Sequence, residues 1–175
     1  MAILDKFLEF DPALTSVAIA AGTQASTNII DLGVVSGIPT AANGGGGRDI
    51  GIGDDPSMKL LVQVDTAFAS AGGTGTIQVD VEFAPNNNGA PGSWVVAATG
   101  PSYVAPIVGT QLLNMDLPRP KDGTVPRYIR LVYTVAVQTF TAGTVNAHLV
   151  IDREDQLNQA PGYLGAYQAG INVAN

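Results

Sequence analysis

The sequence contains no cysteine, one histidine and one tryptophan, and these scarcities exclude several kinds of chemistry. Without cysteine there is no disulfide framework, no thiolate zinc site and no cysteine nucleophile, although the redox compartment stays open. The single histidine, His148, cannot form a histidine-pair metal site, and a Ser-His-Asp triad would depend on it alone. No Gly-x-Ser-x-Gly motif accompanies it. We therefore interpret His148 as a polar residue on the surface of a sheet.

Charged residues are also few. They make up 13% of the chain, whereas an average soluble domain has roughly 25%. A chain with so few charged residues is expected to use much of its surface for contacts with other proteins. The alternative is a secreted or Thr/Asn-coated β domain. The net charge of −7 and the lack of any Lys/Arg cluster argue against a nucleic-acid partner.

Membrane and export signals are missing as well. The first ten residues include Asp5 and Glu9 and lack a basic start, so we expect no signal peptide. No apolar run reaches the length of about 18 residues that a membrane span requires. We expect synthesis in a cytoplasm and no membrane partner.

Short alternating strands dominate the pattern, which predicts an all-β fold, either a two-layer β-sandwich or a barrel. Long loops at 33–57 and 84–92 favour a two-sheet antiparallel β-sandwich of the jelly-roll type. Eight or nine strands are predicted. Seven are at 15–20, 27–32, 58–66, 74–83, 93–99, 127–135 and 145–152, and the segments 103–108 and 110–117 supply one or two more. The first two are expected to flank a turn at Gly22-Thr23-Gln24, and the residues 85–92 are expected to form a loop tip.

The last two strands are predicted to pair as an antiparallel hairpin that forms the spine of the fold. In the first of them, Ile129, Leu131, Tyr133 and Val135 share one face. The connection is assigned to residues 140–143 because they include a glycine.

Two arms are predicted to flank a jelly-roll domain at 14–153. The N-terminal arm, 1–13, carries a short helical stripe that begins at Ile3 and ends before Pro12. Its Leu4, Phe7 and Phe10 must cover either the domain's own sheet or a neighbouring subunit.

The C-terminal arm, 154–175, has too few apolar residues to fold alone. Its Tyr163, Leu164 and Tyr167 are suitable anchors for a segment that lies on another protein. A disordered tail is the alternative.

No enzymatic site is predicted. Asn43 precedes four glycines, but neither Gly-Lys-Ser/Thr nor a helical pattern follows, so the loop is not a phosphate-binding loop. The acidic clusters at 54–55 and 152–155 lack the spacing of a calcium loop. Nothing in the sequence points to a carboxylate pair of the glycosidase type. We expect no enzyme activity, no cofactor and no metal.

Several motifs, in register from the N-terminus to about Arg153, resemble the jelly-roll capsid cement (decoration) proteins of short-tailed bacteriophages. They are Ile-Leu-Asp-Lys at 3–6, Ser-Thr-Asn-Ile-Ile-Asp-Leu-Gly at 26–33, Arg-Asp-Ile-Gly at 48–51, Val-Gln-Val-Asp-Thr-Ala-Phe at 62–68, Arg-Tyr-Ile-Arg-Leu-Val-Tyr-Thr-Val at 127–135, Phe-Thr-Ala-Gly-Thr-Val at 140–145 and Leu-Val-Ile-Asp-Arg at 149–153. The segment after Asp155 is longer than that resemblance leads us to expect.

The resemblance implies a non-enzymatic virion protein on the outer capsid surface. Its partners would be the major capsid protein, whose neighbouring capsomers it clamps, and further copies of itself in a dimer or trimer. Arg48 in the 33–53 loop joins the residues of the two arms as an expected interface residue. A carbohydrate-binding module with Trp94 and Tyr103 as stacking residues, or a tail or fibre component, are the alternatives.

Overall fold

The computed structural model describes residues 8–11, 21–32, 58–118 and 126–151, with only the backbone of residue 151. Within these ranges the regular structure is β. The strands are β1 (Glu9–Asp11), β2 (Gly22–Ala25), β3 (Ile30–Asp31), β4 (Met58–Ser70), β5 (Thr76–Ala84), β6 (Asn86–Asn87), β7 (Ala90–Pro91), β8 (Val95–Thr99), β9 (Tyr103–Val104), β10 (Gln111–Asp116), β11 (Tyr128–Ala136) and β12 (Phe140–Ile151).

The strands form two antiparallel sheets that pack face to face. The first sheet has the order β1-β12-β4-β10. The second has the order β2-β11-β5-β8, with β3 also pairing with β11 and β9 with β5. The comparison with known folds is simpler if β2 and β3 are counted as one interrupted strand, β8 and β9 as another, and the separate pair β6-β7 is left out. Eight strands then remain, and numbered along the chain they have the order 1-8-3-6 in the first sheet and 2-7-4-5 in the second. This is the strand order of a jelly roll, so the predicted all-β sandwich is confirmed.

The core lies between the sheets, where the inward faces of the long strands meet. In β5, inward Ile77, Val79 and Val81 are fully buried, whereas the polar residues between them are only half-buried. The same alternation in β11 places Leu131 and Tyr133 inward. The predicted shared face of β11 is therefore correct, and it is the inward one.

The predicted hairpin of the last two strands is wrong. β11 belongs to the second sheet and pairs with β5, whereas β12 belongs to the first sheet and pairs with β4. The chain crosses between the sheets at 137–139. Residues 140–143, predicted as the turn, are the beginning of β12. Alternation identifies which face of a strand is buried, but it carries no information about the neighbouring strand.

The predicted N-terminal helix is also not supported. Residues 1–7 and 12–13 lie outside the described residues, and Glu9–Asp11 is a strand that pairs with β12. A helix of this length is marginal in water, and the sheet offers Phe10 complete burial instead. The turn predicted at Gly22-Thr23-Gln24 is likewise strand β2, because these residues pair with β11. The strand predicted at 15–20 and the loop at 33–53 lie outside the described residues.

The 85–92 loop tip is confirmed as a turn and contains a small hairpin of its own. β6 and β7 pair across Asn88 and Gly89, whose φ angles are 51° and 89°. An Asn-Gly pair with both φ angles positive is the preferred two-residue connection of such hairpins.

Candidate functional site

One end of the sandwich carries no ionised side chain among the described residues. Asp, Glu, Lys and Arg are absent from 66–79, 83–115 and 131–147. These stretches contain the β4–β5, β9–β10 and β11–β12 connections. The register places the connections together, because Thr76 lies between Val104 and Ala136 across neighbouring strands. We call this surface the uncharged end and define it as residues 71–75, 104–110 and 136–139.

Hydrogen bonds hold the three connections of the uncharged end to one another. The backbone N–H of Gly72 donates to Oε1 of Gln138 over 2.9 Å. The backbone N–H of Ala105 donates to the carbonyl oxygen of Gly75, also over 2.9 Å. Each connection is therefore fixed by a neighbour, and the uncharged end is a preformed surface.

This surface exposes large aliphatic side chains to solvent. Val104, Ile107, Val108 and Val137 keep 61%, 71%, 61% and 73% of their area exposed. Val104 lies on β9, and Val137 follows directly after β11. Strand β5 lies between these two strands, so the two residues are separated by about two strand spacings, or about 10 Å. Aliphatic residues gathered on one uncharged surface, rather than scattered singly, are typical of protein interaction sites.

Val137 has an unusual backbone conformation. Its φ is 67°, a region that β-branched residues rarely occupy. The N–H of Gln138 donates to the carbonyl oxygen of Ala136 over 2.8 Å, so Val137 is the central residue of a γ-turn with positive φ. Turns of this kind are rare and strained.

Two phenylalanines in edge-to-face contact pack beneath the uncharged end. The rings of Phe68 and Phe140 meet edge to face with centroids 4.9 Å apart. Gly143 lies so close that a Cβ there would overlap the Phe68 ring, and a Cβ on Gly75 would come within 2.9 Å of Phe140. Both glycines allow the backbone to approach the aromatic pair directly.

Comparison with protein families places this sandwich among bacteriophage proteins. The Bbp16 family model matches residues 14–149, which is most of the chain and nearly the whole sandwich. The chain belongs to the Bbp16 family. No curated protein sequence matches it.

The opposite end of the Bbp16-family sandwich is held by ion pairs. Nε and a terminal nitrogen of Arg127 donate to the two carboxylate oxygens of Asp31 over 2.8 and 2.9 Å, and the other terminal nitrogen donates to Oδ1 of Asn86 over 3.0 Å. The hydrogen bond to Asp31 raises the pKa of Arg127 above its usual value. The hydroxyl of Tyr128 donates to the carbonyl oxygen of Gly89, which ties the small hairpin to β11. The described side chains of Arg127 and Tyr128 are therefore satisfied by partners within the chain.

Trp94 does not form a stacking site with Tyr103. The guanidinium of Arg130 lies 4.1 Å from the centre of the Trp94 ring, and Arg130 also pairs with Glu82 over 2.6 Å. One face of Trp94 is therefore covered. Val95, which follows Trp94, pairs with Phe83 of β5, whereas Tyr103 pairs with Ile77 of the same strand. This spacing along β5 corresponds to about 20 Å, too far for both rings to stack on one sugar.

A polar cluster fastens β1 to the sandwich. Oδ1 of Asp11 accepts a hydrogen bond from the backbone N–H of Thr27 over 2.8 Å, and Asn28 donates from its backbone N–H to the carbonyl oxygen of Phe10 over 2.9 Å. His148, opposite Glu9, is only 6% exposed, so its interpretation as a surface residue is wrong. Neither ring nitrogen of His148 has a hydrogen-bond partner in the part of the chain described.

Of the seven predicted interface residues, only Phe10 falls among the described residues. It is completely buried in the chain's own core, which is the first of the two alternatives considered for it. The other six lie outside the described residues: Leu4, Phe7, Arg48, Tyr163, Leu164 and Tyr167.

The exposed aliphatic residues of the uncharged end were not among the predicted interface residues. A usable signal was present, because 83–115 contains no charged residue although it includes two long connections. Nothing in the sequence marks Val137, since valine is an unfavourable residue for positive φ.

Among the described residues, no three His, Asp or Glu side chains are grouped so as to hold a metal ion. No helix within those ranges is long and apolar enough to cross a membrane.

Proposed function

We propose that this Bbp16-family chain is a capsid decoration protein. It binds the outer surface of the major-capsid-protein lattice as a homo-oligomer and clamps neighbouring capsomers without performing any chemistry. The observation that carries the proposal is the uncharged end, where four aliphatic side chains are exposed on a preformed surface.

The charge distribution supports this function. Burying an ionised side chain in an interface requires its desolvation, and the cores of interfaces are depleted of charged residues. Negative charges lie at the opposite end of the sandwich, for example at Asp31 and Asp116. The chain can therefore stay dispersed before assembly and still offer a surface that loses little on burial.

Binding of the full-length chain to empty shells tests the proposal. Shells assembled from the phage's major capsid protein alone would be mixed with increasing amounts of the purified chain and sedimented. We expect saturable co-sedimentation that changes little between about 0.05 and 0.5 M NaCl, because the contact is uncharged. Absence of co-sedimentation at every concentration would contradict the proposal. In intact virions, a full complement in the tail and none on the shell would favour a tail component.

The two arms remain predicted contributors to shell binding, and truncations test them. Because β1 begins at Glu9 and buries Phe10, removal of 1–13 would damage the sandwich. Removal of 1–7 leaves β1 in place and is the appropriate N-terminal variant. Removal of 156–175 is the C-terminal one. We expect each truncation to lower shell occupancy, and unchanged occupancy for both would exclude the arms as anchors.

A further inference from the structure

We propose that the uncharged end is the surface that contacts the shell, and that Val137 is its anchoring side chain, kept in a strained turn for this contact. This inference rests on the proposed decoration function. The occupant is an uncharged apolar surface of the shell protein.

Position 137 is the centre of a γ-turn at φ 67°, where glycine or asparagine would be relaxed. Burial within the chain does not compensate for the strain, because the Val137 side chain is 73% exposed. Strained residues that persist in a fold are concentrated at binding and catalytic sites. A valine here lowers the stability of the free chain and presents an aliphatic group to solvent.

The residues on both sides of Val137 are fixed. The side chain of Gln138 accepts a hydrogen bond from Gly72, where a Cβ would come within 2.9 Å of the Gln138 amide. The hydroxyl of Thr76 donates to the carbonyl oxygen of Ala136 over 3.3 Å. Little conformational freedom is left to lose on binding, which favours affinity for a surface of matching shape.

The chemistry of the surface determines the chemistry of its partner. Val104, Ile107 and Val108 lie on the neighbouring connection and are also exposed. No ionised group is present on the described part of this end to pair with a charged partner. A charged partner surface would be desolvated without compensation, so the partner surface must be apolar and uncharged as well.

The size of the uncharged end favours a shell lattice over a second copy. Its described residues, 71–75, 104–110 and 136–139, are fewer than the roughly 20–30 that each side of a stable two-protein interface contributes. A contact formed by these residues alone is too small to hold a dimer. It is effective where many copies bind a repeating lattice, because linked weak contacts add to a high overall affinity.

Replacement of Val137 by glycine tests the contribution of its side chain to shell binding separately from its effect on the stability of the fold. In the full-length chain, Val137→Gly removes the side chain and relieves the strain. The midpoint of urea unfolding is expected to stay the same or rise. The concentration needed for half-saturation of shells is expected to rise about tenfold or more, as for the loss of one buried valine. Val95→Ala, at a 60% exposed position on β8 outside the uncharged end, is the matched control and should behave as wild type.

Each other outcome overturns a defined part of the inference. If wild type binds shells and Val137→Gly binds equally well, the anchoring role is wrong while the decoration function stands. If wild type does not bind, the proposed function itself fails. If Val137→Gly unfolds at lower urea, the strain argument is wrong. If light scattering shows that Val137→Gly breaks an oligomer that wild type forms, the surface joins copies of the chain, and the shell protein is not its occupant.

Discussion

The hydroxyl of Tyr133 donates a 2.5 Å hydrogen bond to Oδ2 of Asp11, and this bond joins the two sheets of the sandwich. Tyr133 lies on β11 in one sheet, and Asp11 lies on β1 in the other. Both side chains are buried, at 1% and 2% exposure. Burial, together with the negative charge of Asp11, raises the pKa of Tyr133 well above its usual value. The hydroxyl therefore remains a donor throughout the physiological pH range.

Removal of this hydroxyl is expected to destabilise the sandwich. Tyr133→Phe leaves Oδ2 of Asp11 buried without its donor, so the free energy of unfolding should fall by about 1–3 kcal/mol. Urea unfolding measures the loss. Tyr103→Phe is the control, because the Tyr103 hydroxyl has no hydrogen bond in the described part of the chain. Equal stability of the two variants would show that the bond does not hold β1.

Because of His148, the free energy of unfolding is expected to depend on pH. The dependence lies at pH values above those at which carboxylates titrate. Burial lowers the pKa of His148 below 6.5, and the negative charges of Glu9 and Asp11 act in the opposite direction without cancelling the effect. A histidine with a lowered folded-state pKa binds protons more readily when unfolded. Stability is therefore fully present above about pH 6.5 and is lost as the pH falls towards the folded-state pKa.

The slope of this loss has an upper limit of about 1.4 kcal/mol per pH unit for one group. Urea unfolding between about pH 5.5 and 8 measures it. His148→Gln cannot titrate and should give a flat profile over this window. A wild-type profile as flat as that of the variant would mean that His148 is not protonated preferentially on unfolding.

Gly143→Ala is expected to be among the most damaging single substitutions in the sandwich. Its Cβ would overlap the ring of Phe68, and its φ of 141° is unfavourable for any other residue. We expect a loss of about 2–4 kcal/mol from overpacking and backbone strain together. Gly73→Ala is the matched control, because Gly73 has a φ of 66° but nothing within 4 Å of the added Cβ. It should lose about 1 kcal/mol from strain alone. Equal losses would contradict the close approach to Phe68.

The single tryptophan offers a spectroscopic test of the outer face of β11. Arg130 covers one face of Trp94 and pairs with Glu82. Arg130→Ala should shift the fluorescence emission to longer wavelength, because water replaces the guanidinium. It should also lower the free energy of unfolding by about 1–2 kcal/mol. Arg130→Lys keeps the charge near Glu82 but not the planar stacking, so it should show the emission shift with a smaller stability loss. An unchanged emission spectrum in both variants would contradict the stacking.

The sequence predicted the strands and their inward faces, but it did not predict their neighbours. The alternation of Ile77, Val79 and Val81 depends only on which side of β5 meets the core, and this is local information. Pairing depends on contacts between distant segments. The β11–β12 hairpin was predicted wrongly because two consecutive strands with a glycine between them match a hairpin and a crossing between sheets equally well.

The candidate site was less predictable than the fold. Gly143 was assigned to a turn because glycine is common in turns, whereas it lies in β12 to make room for Phe68. The real turn places Val137 at positive φ, against the preference of valine. Local rules fail here because the conformation is imposed by Gly72 in the β4–β5 connection and by Thr76 at the start of β5. Such conflicts between local preference and the fold are expected at functional sites.

Electron microscopy of shells decorated with the purified full-length chain is the most direct test of the central claim, that this jelly roll attaches to the phage shell through its uncharged end. The map is expected to contain a two-sheet sandwich outside the major-capsid-protein lattice, with Val104, Ile107 and Val137 directed at the shell. Shells without added density, or sandwiches whose Arg127 end faces the shell, would contradict the account.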